Sequence, residues 1–155
     1  MEYIESVNRP AGCVFCRAWG EEDDRASLIV QRGESAFVIL NRYPYNNGHL
    51  MVVPVRHTAD LGGLDDREKV ELFDLLEASR KALEEAMHPQ GYNLGMNLGR
   101  TAGAGIADHL HFHLVPRWNG DTNFMPVLGH TKVVSEGLEQ TREKLTRAFK
   151  RLNGG

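Results

Sequence analysis

Apolar residues along the first part of the chain fall into short blocks. Ser27–Gln31 and Ala36–Asn41 are strand-sized and rich in Leu, Ile and Val, with Arg32-Gly33-Glu34 as a turn between them. Arg42–Gly48 carries Pro44, Asn46, Asn47 and Gly48 and predicts a loop. Leu50–Val55 is an apolar, β-branched run and predicts a buried strand. From Asp65 the rhythm changes. Val70, Leu72, Phe73, Leu75, Leu76, Leu83 and Met87 recur at helical spacing, with Glu and Lys between them. Asp65 and Asp66 suit the start of this helix and Pro89 its end. Tyr92–Leu98 alternates as a strand, Arg100–Ile106 is a glycine-rich turn, and His109–Val115 alternates again until Pro116 limits it. Asp121–Phe124 reads as a loop and Glu136–Leu152 as a second amphipathic helix, basic towards its end.

Strands therefore dominate the centre, with one long helix between the third and fourth. This is an α+β pattern with a mainly antiparallel sheet of about five strands and a C-terminal helix. The length of 155 residues suits a single domain. Residues 1–25 are expected to form an N-terminal arm with a cysteine pair, irregular over its first dozen residues. Residues 26–118 would form the core, and residues 119–155 a loop and helix.

Composition narrows the function. A net charge of -3 argues against a broad basic surface for nucleic acid, and leaves room for a local anion site. The longest apolar runs are too short to span a membrane. Met1-Glu2-Tyr3-Ile4-Glu5 lacks the basic and apolar regions of a signal peptide, so a cytoplasmic location is expected. In that compartment Cys13 and Cys16 read as metal ligands or redox thiols rather than a structural disulfide.

The richest chemistry lies in His109-Leu110-His111-Phe112-His113. Side chains of a strand alternate between faces, so the three imidazoles share one face and Leu110, Phe112 and Leu114 face the core. Such a row can ligate a metal, hold one imidazole as a nucleophile, or be a polar face that happens to be rich in histidine. The turn Arg100–Gly105 runs directly into it, and its backbone N–H groups could cradle phosphate oxygens. Phosphate cradle plus imidazole suggests phosphoryl or nucleotidyl transfer. Separately, Cys13-Val14-Phe15-Cys16 has the spacing of a metal knuckle, or is a pair of reduced or vestigial thiols.

The segment His-Leu-His-Phe-His-Leu-Val-Pro-Arg from His109 resembles the signature of the histidine triad nucleotide-binding family. Asn41-Arg42-Tyr43-Pro44 with Gly48-His49 and Pro54 resembles the dinucleoside polyphosphate-cleaving branch of that family. Arg117–Pro126 is similar to bacterial members of the diadenosine tetraphosphate phosphorylase type. The resemblance implies His111 as nucleophile, through a nucleotidyl-histidine intermediate. It implies His113 as donor to a phosphate oxygen or leaving group, and His49 as a fourth histidine that orients His111.

It further implies phosphate contacts from Asn97 and from the backbone of Gly103, Ala104, Gly105 and Ile106. Many members place Gln-Ser or Gln-Thr in this turn, and this chain does not. Asn41 matches the ribose-holding position, and Ile39, on the same strand face, could pack on the base or simply be core. The zinc-ligand position of some bacterial members falls on His57 and the usual fourth ligand on His109. Structural zinc on Cys13, Cys16, His57 and His109 is therefore expected. The implied reaction is phosphorolysis of diadenosine tetraphosphate to ADP and ATP. Hydrolysis of dinucleoside polyphosphates or nucleoside phosphoramidates is the alternative, and a nucleotide-binding regulatory protein with little turnover the alternative of another class. No organic cofactor is expected. The family resemblance also implies a homodimer built on the long helix and a sheet edge.

Overall fold

The computed structural model describes residues 12–104, 108–121 and 137–154. Five strands form one sheet: β1 Ile29–Arg32, β2 Ala36–Leu40, β3 Leu50–Pro54, β4 Gly91–Gly95 and β5 Phe112–Arg117. Their order is β1-β2-β3-β5-β4 and every neighbouring pair is antiparallel. Among the described residues four α-helices accompany them: α1 Val14–Gly20, α2 Asp24–Ser27, α3 Asp66–Met87 and α4 Leu138–Gly154. This is the α+β architecture expected from the hydrophobic pattern.

The register divides the sheet into two chemically different faces. Leu40, Leu50, Leu114 and Leu94 are cross-strand partners in sequence across β2, β3, β5 and β4. The same face of β5 places Phe112 against Phe73 of α3, with ring centroids 6.0 Å apart. One residue along each strand, Ile39, Met51, His113 and Gly95 form the parallel row on the opposite face. Helix α1 covers the β2 end of that face, where Trp19 stacks on Phe37 at 5.3 Å.

The long helix starts with a complete capping box. Asp65 accepts from the Glu68 N–H, and the Glu68 carboxylate accepts from the Asp65 N–H. Glu68 is buried and also pairs with Arg56 at 3.0 Å, which anchors the loop that carries His57. On α4, Thr141, Leu145, Ala148 and Phe149 form the buried stripe. Arg142 donates to the carbonyls of Asp24 and Ile29, tying α4 to α2 and β1.

Four boundaries depart from the sequence expectation. The cysteine-bearing part of the arm, to which the sequence assigns no element, forms α1, with Phe15, Cys16 and Ala18 buried on one side. Seven residues are too few for a helical period to stand out beside the cysteine spacing. The strand expected over His109–Val115 starts only at Phe112, because the Leu110 N–H goes to the Thr58 carbonyl rather than to a strand partner. It also runs through Pro116. Pairing with β3 ends at Leu114, so the proline has a neighbouring strand on one side only, as at a sheet edge. β4 stops at Gly95, where its register with His113 ends, short of the expected Leu98. The loop expected over Asp121–Phe124 lies outside the described residues beyond Asp121.

Candidate active site

His49, His111 and His113 meet at the centre of the open sheet face. His49 precedes β3 and is fully buried. Its position depends on Gly48, whose φ of +80° is a left-handed conformation open to glycine. A Cβ there would also lie 2.9 to 3.1 Å from Met87, Leu83 and Pro116. The loop thus packs directly on the end of α3.

The hydrogen bonds assign every tautomer in the group. The Tyr45 N–H donates to His49 Nδ1 at 3.1 Å, so that nitrogen carries the lone pair and neutral His49 bears its proton on Nε2. His49 Nε2 lies 2.9 Å from His113 Nδ1 and donates to it. Neutral His113 therefore carries its own proton on Nε2. His111 Nδ1 lies 2.9 Å from the His109 carbonyl and must donate to that acceptor. The lone pair of His111 is thereby placed on Nε2. The His111 and His113 rings are edge to face with centroids 4.9 Å apart. A free imidazole lone pair thus stands beside an imidazole N–H donor.

Burial pushes the His111 pKa below its ordinary value, and the His109 carbonyl opposes this only in part. Burial, followed by the neighbouring His111, lowers His113 as well. Both rings are held neutral, the form in which a histidine is nucleophilic. Two aromatic residues not singled out in the sequence complete the setting. Phe15 packs on both His109 and His111, at 5.4 and 5.0 Å. Tyr45 covers His49 and His113, at 4.6 and 5.8 Å. Phe15 lay hidden between the two cysteines. Tyr45 is in a loop whose composition signals only a turn.

Two clefts flank the histidine group. One, of about 700 Å³, is lined by Phe15, Arg17, Leu28, Ile39, Asn41 and Met51, and meets the group through Phe15, which packs on His111, and Met51, the cross-strand partner of His113. Ile39 is both core and cleft wall. The Asn41 carboxamide oxygen accepts from the Tyr43 N–H at 2.9 Å, which fixes the side chain at the rim. The second cleft, of about 380 Å³, lies on the other side of His113 and includes Asn97.

The glycine-rich turn is less open than its sequence suggests. The Gly103 N–H donates to the Arg100 carbonyl at 2.9 Å and the Ala104 N–H to the Gly99 carbonyl at 3.2 Å. These bonds occupy two of the donors expected to face phosphate. Gly105 and Ile106 lie outside the described residues. Asn97 packs against Gly103, its Nδ2 3.8 Å from where a Cβ would stand.

A separate donor cluster sits behind Phe15. Ligand atoms of Cys13, Cys16, His57 and His109 all lie within 4.8 Å of one another. Both cysteines are buried. His109 Nε2 donates to the Pro54 carbonyl at 2.7 Å, which leaves the Nδ1 lone pair facing the cluster. That Nδ1 lies 3.3 Å from Cys13 Sγ, 3.6 Å from Cys16 Sγ and 3.2 Å from His57 Nδ1. Tetrahedral zinc with its usual bond lengths would place sulfur and nitrogen ligands about 3.5 Å apart. The donor set fits one ion with four protein ligands. Burial pushes the His109 pKa down to about 4, so the ring is neutral and available as a ligand.

The chain belongs to the HIT domain family, which matches residues 22–120. An "AP-4-A phosphorylase" of Mycobacterium tuberculosis strain H37Rv is 43% identical over 128 residues, covering 83% of this chain. The aligned part spans 66% of that relative's length, just under two thirds. An adenosine 5'-monophosphoramidase of Schizosaccharomyces pombe is 29% identical over 107 residues, 69% of this chain and 75% of its own. Among solved structures, a zinc-bound histidine triad family protein from Mycobacterium smegmatis superposes with a TM-score of 0.73 at 26% identity. It covers 92% of this chain and 96% of its own. Among the described residues, no helix is long and apolar enough to cross a membrane.

Proposed function

We propose that the protein cleaves diadenosine polyphosphates by nucleotidyl transfer through His111, with inorganic phosphate as acceptor. The observation that carries this is the tautomer chain, which leaves His111 Nε2 as a lone pair beside the His113 N–H. The His111 Nε2 lone pair attacks the phosphorus of the bound adenylyl group, a P–N bond forms, and the bridging P–O bond breaks. The departing ATP is stable as an anion and takes no proton. His113 Nε2–H hydrogen-bonds the phosphate oxygens as charge builds on them. A phosphate oxygen then attacks the same phosphorus, the P–N bond breaks with its electron pair returning to Nε2, and ADP leaves. Asn41 and Ile39 would hold the ribose and base of the adenylyl group. Asn97, with Gly103, Ala104, Gly105 and Ile106, would hold phosphate oxygens, which requires the Gly103 and Ala104 turn bonds to open.

The likeness to the mycobacterial phosphorylase favours phosphate over water as acceptor. Incubation with diadenosine tetraphosphate should give ADP and ATP only when phosphate is present. AMP and ATP, formed equally without phosphate, would place the protein with the hydrolases.

Cys13, Cys16, His57 and His109 would hold a structural zinc ion. Four protein ligands close the coordination sphere, so the metal would fix α1 and the His109 segment. A homodimer is the proposed assembly. Val70 and Phe73 of α3 and Leu94 of β4, the edge strand among the described residues, are 60, 62 and 53% exposed, more than isolated apolar side chains in water require. Phe73→Asp should give a monomer by light scattering at concentrations where the wild type is dimeric. An unchanged mass would move the interface elsewhere.

A further inference from the structure

We propose that the cleft beyond His113, walled by Tyr45, Asn93 and Val115, is the subsite for the second nucleoside of the substrate. The proposal rests on the nucleotidyl-transfer reading and adds which part of the substrate lies where. The row Ile39, Met51, His113, Gly95 crosses four strands. At about 4.8 Å per strand it is about 14 Å long. Its β2 end opens into the cleft assigned to the adenylyl group and its β4 end into the second cleft. His113 stands between them. The two clefts therefore lie on opposite sides of the reacting histidines, as the two halves of a cleaved dinucleotide must.

The second cleft has the chemistry of a nucleoside site. Tyr45 is 68% exposed although its ring stacks along His113, so one aromatic surface beside the leaving-group donor is uncovered. Gly95 contributes no side chain opposite His113, and a Cβ there would meet nothing within 4 Å. Asn46 and Asn93 line its wall, held there by bonds to Asp121 and Arg117, and Asn97, the proposed phosphate contact, borders it as well. Among the described residues, the only charged side chains lining the cleft, Arg117 and Asp121, neutralise each other in a two-point pair of 2.8 and 2.9 Å. A cleft with no net charge and an open aromatic ring suits a neutral base and ribose better than the end of a polyphosphate. Tyr43, 76% exposed and two residues earlier, lines the other cleft. One loop thus offers an aromatic residue to each half of the substrate.

The test uses binding, so that it is read without turnover. On a His111→Ala background, calorimetry compares diadenosine tetraphosphate with adenosine 5'-tetraphosphate, which lacks only the second nucleoside. Adding Tyr45→Ala should weaken the dinucleotide about tenfold more than the mononucleotide, the size expected for losing one base–aromatic stack. Tyr45→Phe, which keeps the ring, should restore the difference. An equal loss for both ligands, or no loss for either, overturns the subsite. Failure of the nucleotidyl-transfer reading would show separately, as dinucleotide cleavage that survives His111→Ala.

Discussion

His111→Ala is expected to lower kcat for diadenosine tetraphosphate by at least about a thousandfold, or about 4 kcal/mol of barrier, while nucleotide affinity and folding are kept. The size follows from the chemistry. The variant loses the atom that forms the covalent bond, and the neighbouring donor cannot replace it. His113 Nδ1 is already engaged by His49, and its Nε2 carries a proton. His111→Gln should be equally inactive, since an amide nitrogen has no lone pair for the task. Acid-quenched wild-type protein incubated with labelled dinucleotide without phosphate should carry an adenylyl group, and the variant none. The pH profile has a defined sign. Protonation removes the lone pair, and burial places the His111 pKa below its ordinary value of 6.5. The acid limb of kcat/KM should therefore lie below pH 6.5, with activity lost as the pH falls through it. An active His111→Ala protein, or an acid limb above pH 6.5, would remove the central claim.

Metal removal should have the second largest effect. Protein from zinc-replete culture is expected to carry one zinc per chain. Cys16→Ser should lose it and lose about 3 kcal/mol of stability, the gain from a ligand held at about a hundred times its dissociation constant. For a chain of this size that is a fall in Tm of about 6–12 °C. Chelation should bring the wild type down to the variant and leave the variant unmoved. Activity should suffer less than stability in the surviving folded fraction, because His111 and His113 are outside the ligand set. Absence of zinc by elemental analysis would sink this, and the buried cysteines would then be packing groups.

Much of the architecture could be read because the hydrophobic pattern is strong where the core is. The apolar runs of β2 and β3, the alternation at β5 and the long stripe of α3 are set by burial and survive folding with boundary shifts of a few residues. The histidine face was legible for the same reason. Its division of labour was not. Alternation puts His109, His111 and His113 on one side, yet nothing local says that His109 turns to Pro54 and the cysteines while His113 turns to His49. Those choices are made by segments 55 to 96 residues away in sequence. The glycine-rich turn misleads in the opposite direction. Glycines permit an open nest of N–H groups, but here Gly103 and Ala104 close their own turn. Tyr45 carried no legible signal, since an aromatic residue in a Pro/Asn loop looks like any exposed side chain until the fold brings His113 beneath it.

The seat of Gly48 against Leu83, Met87 and Pro116 has a wider consequence. The proton arrangement of the histidines begins with one backbone amide, that of Tyr45, and the loop bearing it is wedged on the last turns of the long helix. Loosening that wedge would let His49 adopt its other tautomer, and with it His113 would present an acceptor in place of a donor to the substrate. Fraying at the end of α3 would therefore silence the chemistry while the sheet stayed intact. Heat inactivation should run ahead of global melting, and the difference between the two temperatures would measure how tightly one helix end is held.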